Sequence, residues 1–412
     1  MSNRIALAKF IEVGLRSVFI IFSTYSLTLI EAGQFGLLLT YQGVASFLFG
    51  YERYIDIQRR FVGESSELFD SAVSNALILF VVNYLLFTPF YLVAVVLFAK
   101  LSGFLVFLCI LIAVGEQLLN FVYQLAMVNE RYGKLMYITI VKNILMVGGL
   151  FFLFLSDIFY IHNVIYVWAV ATFVSLILLA FYWLTGFGAK KVHLAGVTKS
   201  LVDQYVWSKT HFILGLVAIL SLQLGRLTVG SLLPLEQVGI YFRHVLLVSL
   251  VYQVFNIAIY NRVLPEIFSM IKRKPIGEVK KIVFKEHKKV LGLLSILSVC
   301  IAGLYLFQNG ALLLRFNLEP YLLLGLLIAT AIQTRGDLTS LLLQGLFKEK
   351  VILTVKSVSL VLNIILTVLL TLVLGINGTV LATMIISVVY MVYIRNSLGR
   401  IEFTTSIINK ET

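Results

Sequence analysis

Apolar stretches of roughly 20 residues recur along the whole length of this 412-residue chain, and that recurrence restricts it to one solvent. Hydrocarbon about 30 Å thick is crossed by a helix of about 20 residues, because only a helix bonds all its backbone groups within one segment. Segments of this kind lie at 10–30, 34–58, 72–98, 101–127, 135–156, 161–185, 207–231, 237–261, 290–308, 319–346, 351–374 and 377–396. Hydrophobic residues make up 60% of the chain and charged residues 13%, whereas soluble domains use about 45–50% apolar residues. A water-soluble core cannot absorb that surplus. The expected class is an all-α polytopic membrane protein with about twelve transmembrane helices.

Charge in the loops orients these helices. One alternate set of loops carries Arg4 and Lys9, Arg59 and Arg60, Arg131 and Lys134, Lys190, Lys191 and Lys199, eight basic residues from Lys272 to Lys289, Lys348 and Lys350, and Arg400 with Lys410. The opposite set holds Lys100 and Arg315. The positive-inside rule then places both termini in the cytoplasm. The opening MSNRIALAKF runs into the first span without a small-residue cleavage site, so no removable signal peptide is expected. Cys109 and Cys300 sit in apolar runs, where thiols act as small hydrophobes, and they carry no information on redox compartment. The basic run from Lys272 to Lys289 reads as a topology determinant, or as a segment lying on anionic headgroups.

The polar interruption from Gly186 to Val206 divides the spans six and six. The expected organisation is a six-helix bundle at 1–189, a cytoplasmic linker at 190–206, a second bundle at 207–400 and a cytoplasmic tail at 401–412. An internal repeat supports it. EAGQFGLLLTYQGVASFL from Glu31 has a counterpart in LEQVGIYFRHVLLVSLVY from Leu235, each placing an acidic residue and a glycine ahead of a helix. NERYGKLMYITIVKNIL from Asn129 parallels FKEKVILTVKSVSLVLNIIL from Phe347, with basic pairs at Lys134/Lys142 and Lys348/Lys356. Same-orientation halves joined by one linker imply two pseudo-symmetric bundles around a central cavity.

These residues resemble the Wzx-type O-antigen flippases of the polysaccharide transporter group, within the superfamily that also holds the multidrug and toxin extruders. The resemblance covers nearly the whole chain. It is carried by Glu31 to Gly36 leading into helix 2, by Val238, Gly239 and Tyr241 leading into helix 8 with Pro265 beyond it, and by Gly345 to Lys348, Asn363, and Gly375 to Gly378 ahead of the last span. It implies two bundles that rock about a central cavity and move an undecaprenyl-diphosphate-linked oligosaccharide, such as an O-antigen or other surface-polysaccharide repeat unit, from the cytoplasmic to the periplasmic leaflet of a bacterial inner membrane. Partners would be that lipid-linked glycan, membrane lipid and other polysaccharide-assembly membrane proteins. Twelve helices rather than fourteen set the chain apart from the lipid II flippase branch.

Ten basic residues remain at or inside span boundaries: Arg16, Arg53, Lys142, Lys209, Arg226, Arg243, Arg262, Arg335, Lys356 and Arg395. Five acidic residues accompany them: Glu12, Glu52, Asp56, Glu116 and Asp337. An ionised group at bilayer depth costs about 2.5–3.5 kcal/mol on insertion scales, so each needs a partner or a task. An excess of cations suits an anionic cargo, and arginine suits a diphosphate through bidentate hydrogen bonds. Lys209, Arg262 and Arg395 lie where long side chains snorkel to headgroups. Arg226, Arg243 and Arg335 have no acidic residue one turn away on their own helices and are the first candidates for binding phosphate or sugar. Arg16, with Glu12 one turn before it, is a fourth. Lys142 and Lys356 are candidates for the inward-facing mouth, or snorkel. Glu116 and Asp337 are candidate ion-coupling carboxylates, or partners of cations on other helices. Glu12, Glu52, Arg53 and Asp56 read as a structural charge network. His211 and His244 read as packing elements, and no metal constellation or cofactor motif is present.

An enzyme is not expected. No G-x-x-x-x-G-K-[ST] occurs, so ATP is not hydrolysed on a P-loop of this chain. An ion-coupled multidrug exporter of the same superfamily is the nearest alternative, and would favour a carboxylate-lined cavity. The segment from Gly50 to Arg60 resembles the major-facilitator loop only loosely, because the Asp-Arg step and glycine of that loop are absent. A membrane-embedded polysaccharide polymerase is the alternative from another class; the short outer loops and the twofold repeat speak against it.

Overall fold

A computed structural model describes residues 3–51, 53–54, 57, 66–101, 103–128, 135–186, 197–255, 270, 276–307, 318–346 and 348–411. The long elements are twelve α-helices: α1 (Asn3–Ser26), α2 (Leu29–Gly50), α3 (Ser66–Leu97), α4 (Phe104–Val128), α5 (Met136–Leu155), α6 (Ile161–Gly186), α7 (Val197–Leu232), α8 (Leu235–Phe255), α9 (Ile276–Phe307), α10 (Pro320–Gly345), α11 (Glu349–Leu374) and α12 (Ile376–Glu411). Among the described residues no strand occurs. Each helix overlaps one of the twelve apolar segments. Among the described residues, seven helices contain a stretch long and apolar enough to cross a membrane: Ala72–Leu97, Phe104–Leu125, Met136–Leu155, Ile161–Tyr182, His211–Leu232, Lys350–Leu374 and Ile376–Gly399. Three of the other five, α1, α8 and α10, carry Arg16, Arg243, Arg335 and Asp337, while Glu116, Lys142, Arg226 and Lys356 lie on helices with such stretches.

Two helices begin well before their apolar segments, which start at 207 and 290. α7 starts at Val197 and α9 at Ile276, because a polar helical extension leaves no mark in a hydropathy pattern. The chain packs as two compact units, Met1–Gln223 and Leu224–Thr412, with the division inside α7. The first part of α7 belongs to unit 1 through aromatic contacts. Phe212 stacks on Tyr51 at 4.0 Å and on Phe47 at 5.3 Å, and the Tyr205 hydroxyl donates to Asn83 Oδ1 at 2.6 Å.

Packing neighbours repeat six helices apart. In unit 1, α2 packs on α4, α3 on α4, α4 on α6 and α5 on α6; in unit 2, α8 packs on α10, α9 on α10, α10 on α12 and α11 on α12. The sequence repeat is thus a repeat of packing. One end of unit 1 is closed by a core of Ile57, Ala76, Phe80, Leu119, Phe121, Leu125, Met136 and Leu179. Nearer the other end, Phe19, Phe35 and Trp168 form an edge-to-face triad with centroids 5.8–6.2 Å apart. Such pairs contribute about 0.5–1.5 kcal/mol beyond their buried area.

Two of the repeat motifs have local structural reasons. Glu31 is the third residue of a capping box: its backbone N–H donates to Thr28 Oγ1 at 3.3 Å while its carboxylate accepts from the Thr28 backbone and hydroxyl. Its other oxygen accepts from the Ile161 N–H at 3.1 Å, so one side chain joins the first turns of α2 and α6. Gly375 is the only residue between α11 and α12 and has φ 60° and ψ −138°, which side chains rarely adopt. Three residues on, Gly378 lies against the Leu370 carbonyl, where a Cβ would come within 1.8 Å of the oxygen.

Candidate functional site

Unit 1 gathers three of the candidate residues around one carboxylate. Glu116, 6% exposed, sits at the middle of α4. Lys142 of α5, 3% exposed, donates from Nζ to Glu116 Oε1 at 2.7 Å, and the Trp168 indole N–H of α6 donates to the same oxygen at 2.7 Å. Arg16 of α1 approaches the other oxygen at 4.0 Å, with 45% of its side chain exposed. The Phe19 and Phe35 rings hold the Trp168 indole in place. The carboxylate that Arg16 approaches is thus Glu116 on another helix. Trp168 is a partner that sequence reasoning missed, although a buried indole N–H needs an acceptor. Glu12 is partly exposed, and its backbone carbonyl accepts from Asn143 Nδ2 at 3.2 Å. Arg53 is 2% exposed, while Glu52 and Asp56 lie outside the described residues.

A second polar network crosses unit 1 from α2 to α4. Tyr91 donates to Gln42 Oε1 and lies 3.2 Å from the Cys109 carbonyl, while Gln42 Nε2 reaches the Ile112 carbonyl. The Tyr84 hydroxyl bonds Gln117, and Asn83 Nδ2 donates to the Phe49 carbonyl. These groups satisfy one another and offer no cluster of charge.

Unit 2 has the same plan with different chemistry. Asp337 of α10 accepts from the Tyr252 hydroxyl of α8 at 3.0 Å and from the Tyr390 hydroxyl of α12 at 3.1 Å. Two neutral donors serve this carboxylate, whereas unit 1 uses an ammonium and an indole. Arg335, two residues before Asp337, is partly exposed and places its guanidinium 5.3 Å from the Phe284 ring of α9. Among the described residues it has no ion-pair partner. Arg226 of α7 donates to Ser249 Oγ at 2.9 Å and lies 5.9 Å from the Phe242 ring. Arg243 on α8 is 4% exposed, and Lys356 on α11 is partly exposed.

His244 is a packing element with a defined tautomer. The Glu319 N–H donates to its Nε2 at 2.7 Å, so its proton is on Nδ1 and is donated to the Ile240 carbonyl at 2.7 Å. A neutral, fully used imidazole joins α8 to the start of α10. Among the described residues, no three His, Cys, Asp or Glu side chains converge as metal ligands would.

No known protein family and no curated protein sequence matches the chain. Solved structures do. A multidrug resistance MATE family transporter of the MOP superfamily, in an inward-facing conformation, aligns at a TM-score of 0.68 with 16% identity over 95% of this chain and 96% of its own. The lipid II flippase MurJ, in an inward closed conformation, aligns at 0.67 with 15% identity over 97% of this chain and 88% of its own. The chain has the MATE/MurJ fold. Two repeated helical units are what that fold consists of here, and the expected all-α class holds. At these identities the likeness fixes architecture alone, and both drug export and lipid flipping occur on it.

Proposed function

We propose that this protein is a flippase, not an enzyme, that carries an undecaprenyl-diphosphate-linked oligosaccharide from the cytoplasmic to the periplasmic leaflet of a bacterial inner membrane by alternating access, in the manner of Wzx-type O-antigen flippases. Both termini are cytoplasmic in this reading. The observation that carries it is Arg335: a mid-helix cation, partly exposed, backed by an aromatic ring and without an ion-pair partner among the described residues. Such a group at membrane depth needs an anion, and a diphosphate supplies one. Arg226 and Arg243 extend the cationic character of unit 2, with Arg16, Lys142 and Lys356 as further contacts. Asp337 is the coupling carboxylate, with Glu116 as a second. Cytoplasm-facing loading of the diphosphate on the arginines, sugar in a hydrated interior, tail in lipid and rocking of the halves complete the cycle.

The test uses purified protein in liposomes carrying a fluorescent undecaprenyl-diphosphate glycan, with arrival in the opposite leaflet as readout. Arg335→Ala should slow arrival roughly 10- to 100-fold, the equivalent of one charge-assisted contact, with Arg335→Lys in between. Unchanged movement in Arg335→Ala would remove the residue from cargo binding. Export of small organic cations, with no glycan movement under proton or sodium gradients, would transfer the protein to the drug exporters.

A further inference from the structure

The basic run from Lys272 to Lys289 reads in the sequence as a cytoplasmic segment before a span starting at 290. The structure describes it from Ile276 onward as the first turns of α9, and two contacts set its level. Phe284 lies 5.3 Å from the Arg335 guanidinium, and His287 Nε2 is 3.3 Å from the Ala331 carbonyl. Ala331 and Arg335 are at the middle of α10. α10 runs level with α12, Gly325 packing against Val380 and Gly336 against the Tyr390 ring, so the middle of α10 matches the middle of the apolar span Ile376–Gly399. Lys288 therefore stands near the membrane centre, and Lys281 about 9 Å from it along the helix axis.

The side of α9 turned to α10 is Val279, Val283 and His287, all buried. Lys281, Lys285 and Lys288 fall on the other side, exposed, with Phe284 at its edge. Bilayer headgroups lie about 15 Å from the centre, farther than an extended lysine reaches from position 288. Lys285 and Lys288 hold ammonium groups at a depth that requires water or an anion in front of them, while Lys281 extends the same face toward the headgroups.

We propose that this face of α9, together with Arg335, is a diphosphate subsite. Lys281, Lys285 and Lys288 supply point charges at i, i+4 and i+7, and Arg335 supplies a bidentate fork held by the Phe284 ring. The occupant is the diphosphate of the lipid-linked cargo, because headgroups of resident lipids stay at the surface whereas a cargo in transit passes this level. The inference rests on the flippase reading and names where unit 2 holds the anion on its way.

Three measurements on the full-length protein test it. The first is affinity for undecaprenyl diphosphate in detergent, the second is glycan movement in liposomes, and the third is labelling of Lys288→Cys by a charged thiol reagent in a Cys109→Ala, Cys300→Ala background. The triple variant Lys281→Gln, Lys285→Gln, Lys288→Gln should lose about tenfold or more in affinity and in rate, the triple arginine variant should retain both, and Lys209→Gln should match the parent. Lys288→Cys should be labelled and protected by undecaprenyl diphosphate. Parent-like binding and movement by the triple glutamine variant overturn the subsite while leaving the flippase standing. So does an unlabelled Lys288→Cys, which would mean a lipid-facing lysine, or protection by phosphatidylglycerol equal to that by the diphosphate. Binding that depends on the three lysines, in a protein that moves no polyprenyl-diphosphate glycan, would keep the subsite and overturn the flippase.

Discussion

Glu116→Gln lowers the unfolding free energy of the protein in detergent by about 3–5 kcal/mol, and Lys142→Met lowers it by somewhat less. Each leaves one charged group of a 2.7 Å ion pair in a site that water does not reach. The lysine variant is milder because the Trp168 indole still donates to Glu116, and Arg16 is within 4.0 Å of its other oxygen. The double variant Glu116→Gln, Lys142→Met recovers most of the loss, since a neutral amide can accept from Trp168 and a methionine fills the lysine's volume. Arg16→Ala costs under about 1 kcal/mol, because nearly half of its side chain is in contact with solvent. A chemical-denaturation cycle over these four proteins checks the order, and a double variant no better than Glu116→Gln would show that the pair does not act as a unit.

The turn between α11 and α12 is equally intolerant, for steric rather than electrostatic reasons. Gly378→Ala puts a methyl group 1.8 Å from the Leu370 oxygen and 2.3 Å from its carbon, both backbone atoms that no rotamer change can move. Relief requires the two helices to part, which breaks the 2.7 Å contact between the Thr371 and Thr379 hydroxyls and the Gly375 N–H bond to Thr371 O. A loss of at least about 3 kcal/mol is expected, seen as a sharp fall in melting temperature or in membrane-extracted yield. Gly14→Ala is the matched control, with nothing within 4 Å of the new methyl and a gain in helix propensity of up to about 1 kcal/mol. Equal behaviour of the two variants would mean that the turn adapts.

Helix number and order were legible because apolar length is a one-dimensional property: each of the twelve segments contains or overlaps one helix. Helix ends were not, wherever a helix continues in polar residues. The first turns of α9 look like a loop in KRKPIGEVKKIVFKEHKK until Val279, Val283 and His287 are seen as a buried stripe. The candidate charges were legible as individuals and illegible as partners. Nothing in AVGEQLLNFVYQ says that Glu116 meets Lys142, 26 residues on, and Trp168, 52 on, because helix rotation and packing decide which side chains converge. Asp337 was visible, yet the two tyrosines that hold it come from helices 85 and 53 residues away. The Glu31 and Gly375–Gly378 motifs have plain reasons in capping and in close helix approach.

The two carboxylates held by side chains of other helices, Glu116 and Asp337, differ in what would have to depart to free them. Lys142 is a counter-ion on a leash: it is part of the chain, and its local concentration beside Glu116 never falls, whatever the ion gradients outside. The hydroxyls of Tyr252 and Tyr390 carry no charge and can swing away from Asp337 by a rotation of their own side chains. Duplicated halves have therefore come to hold unlike electrical components, a tethered counter-ion in one and a pair of movable dipoles in the other.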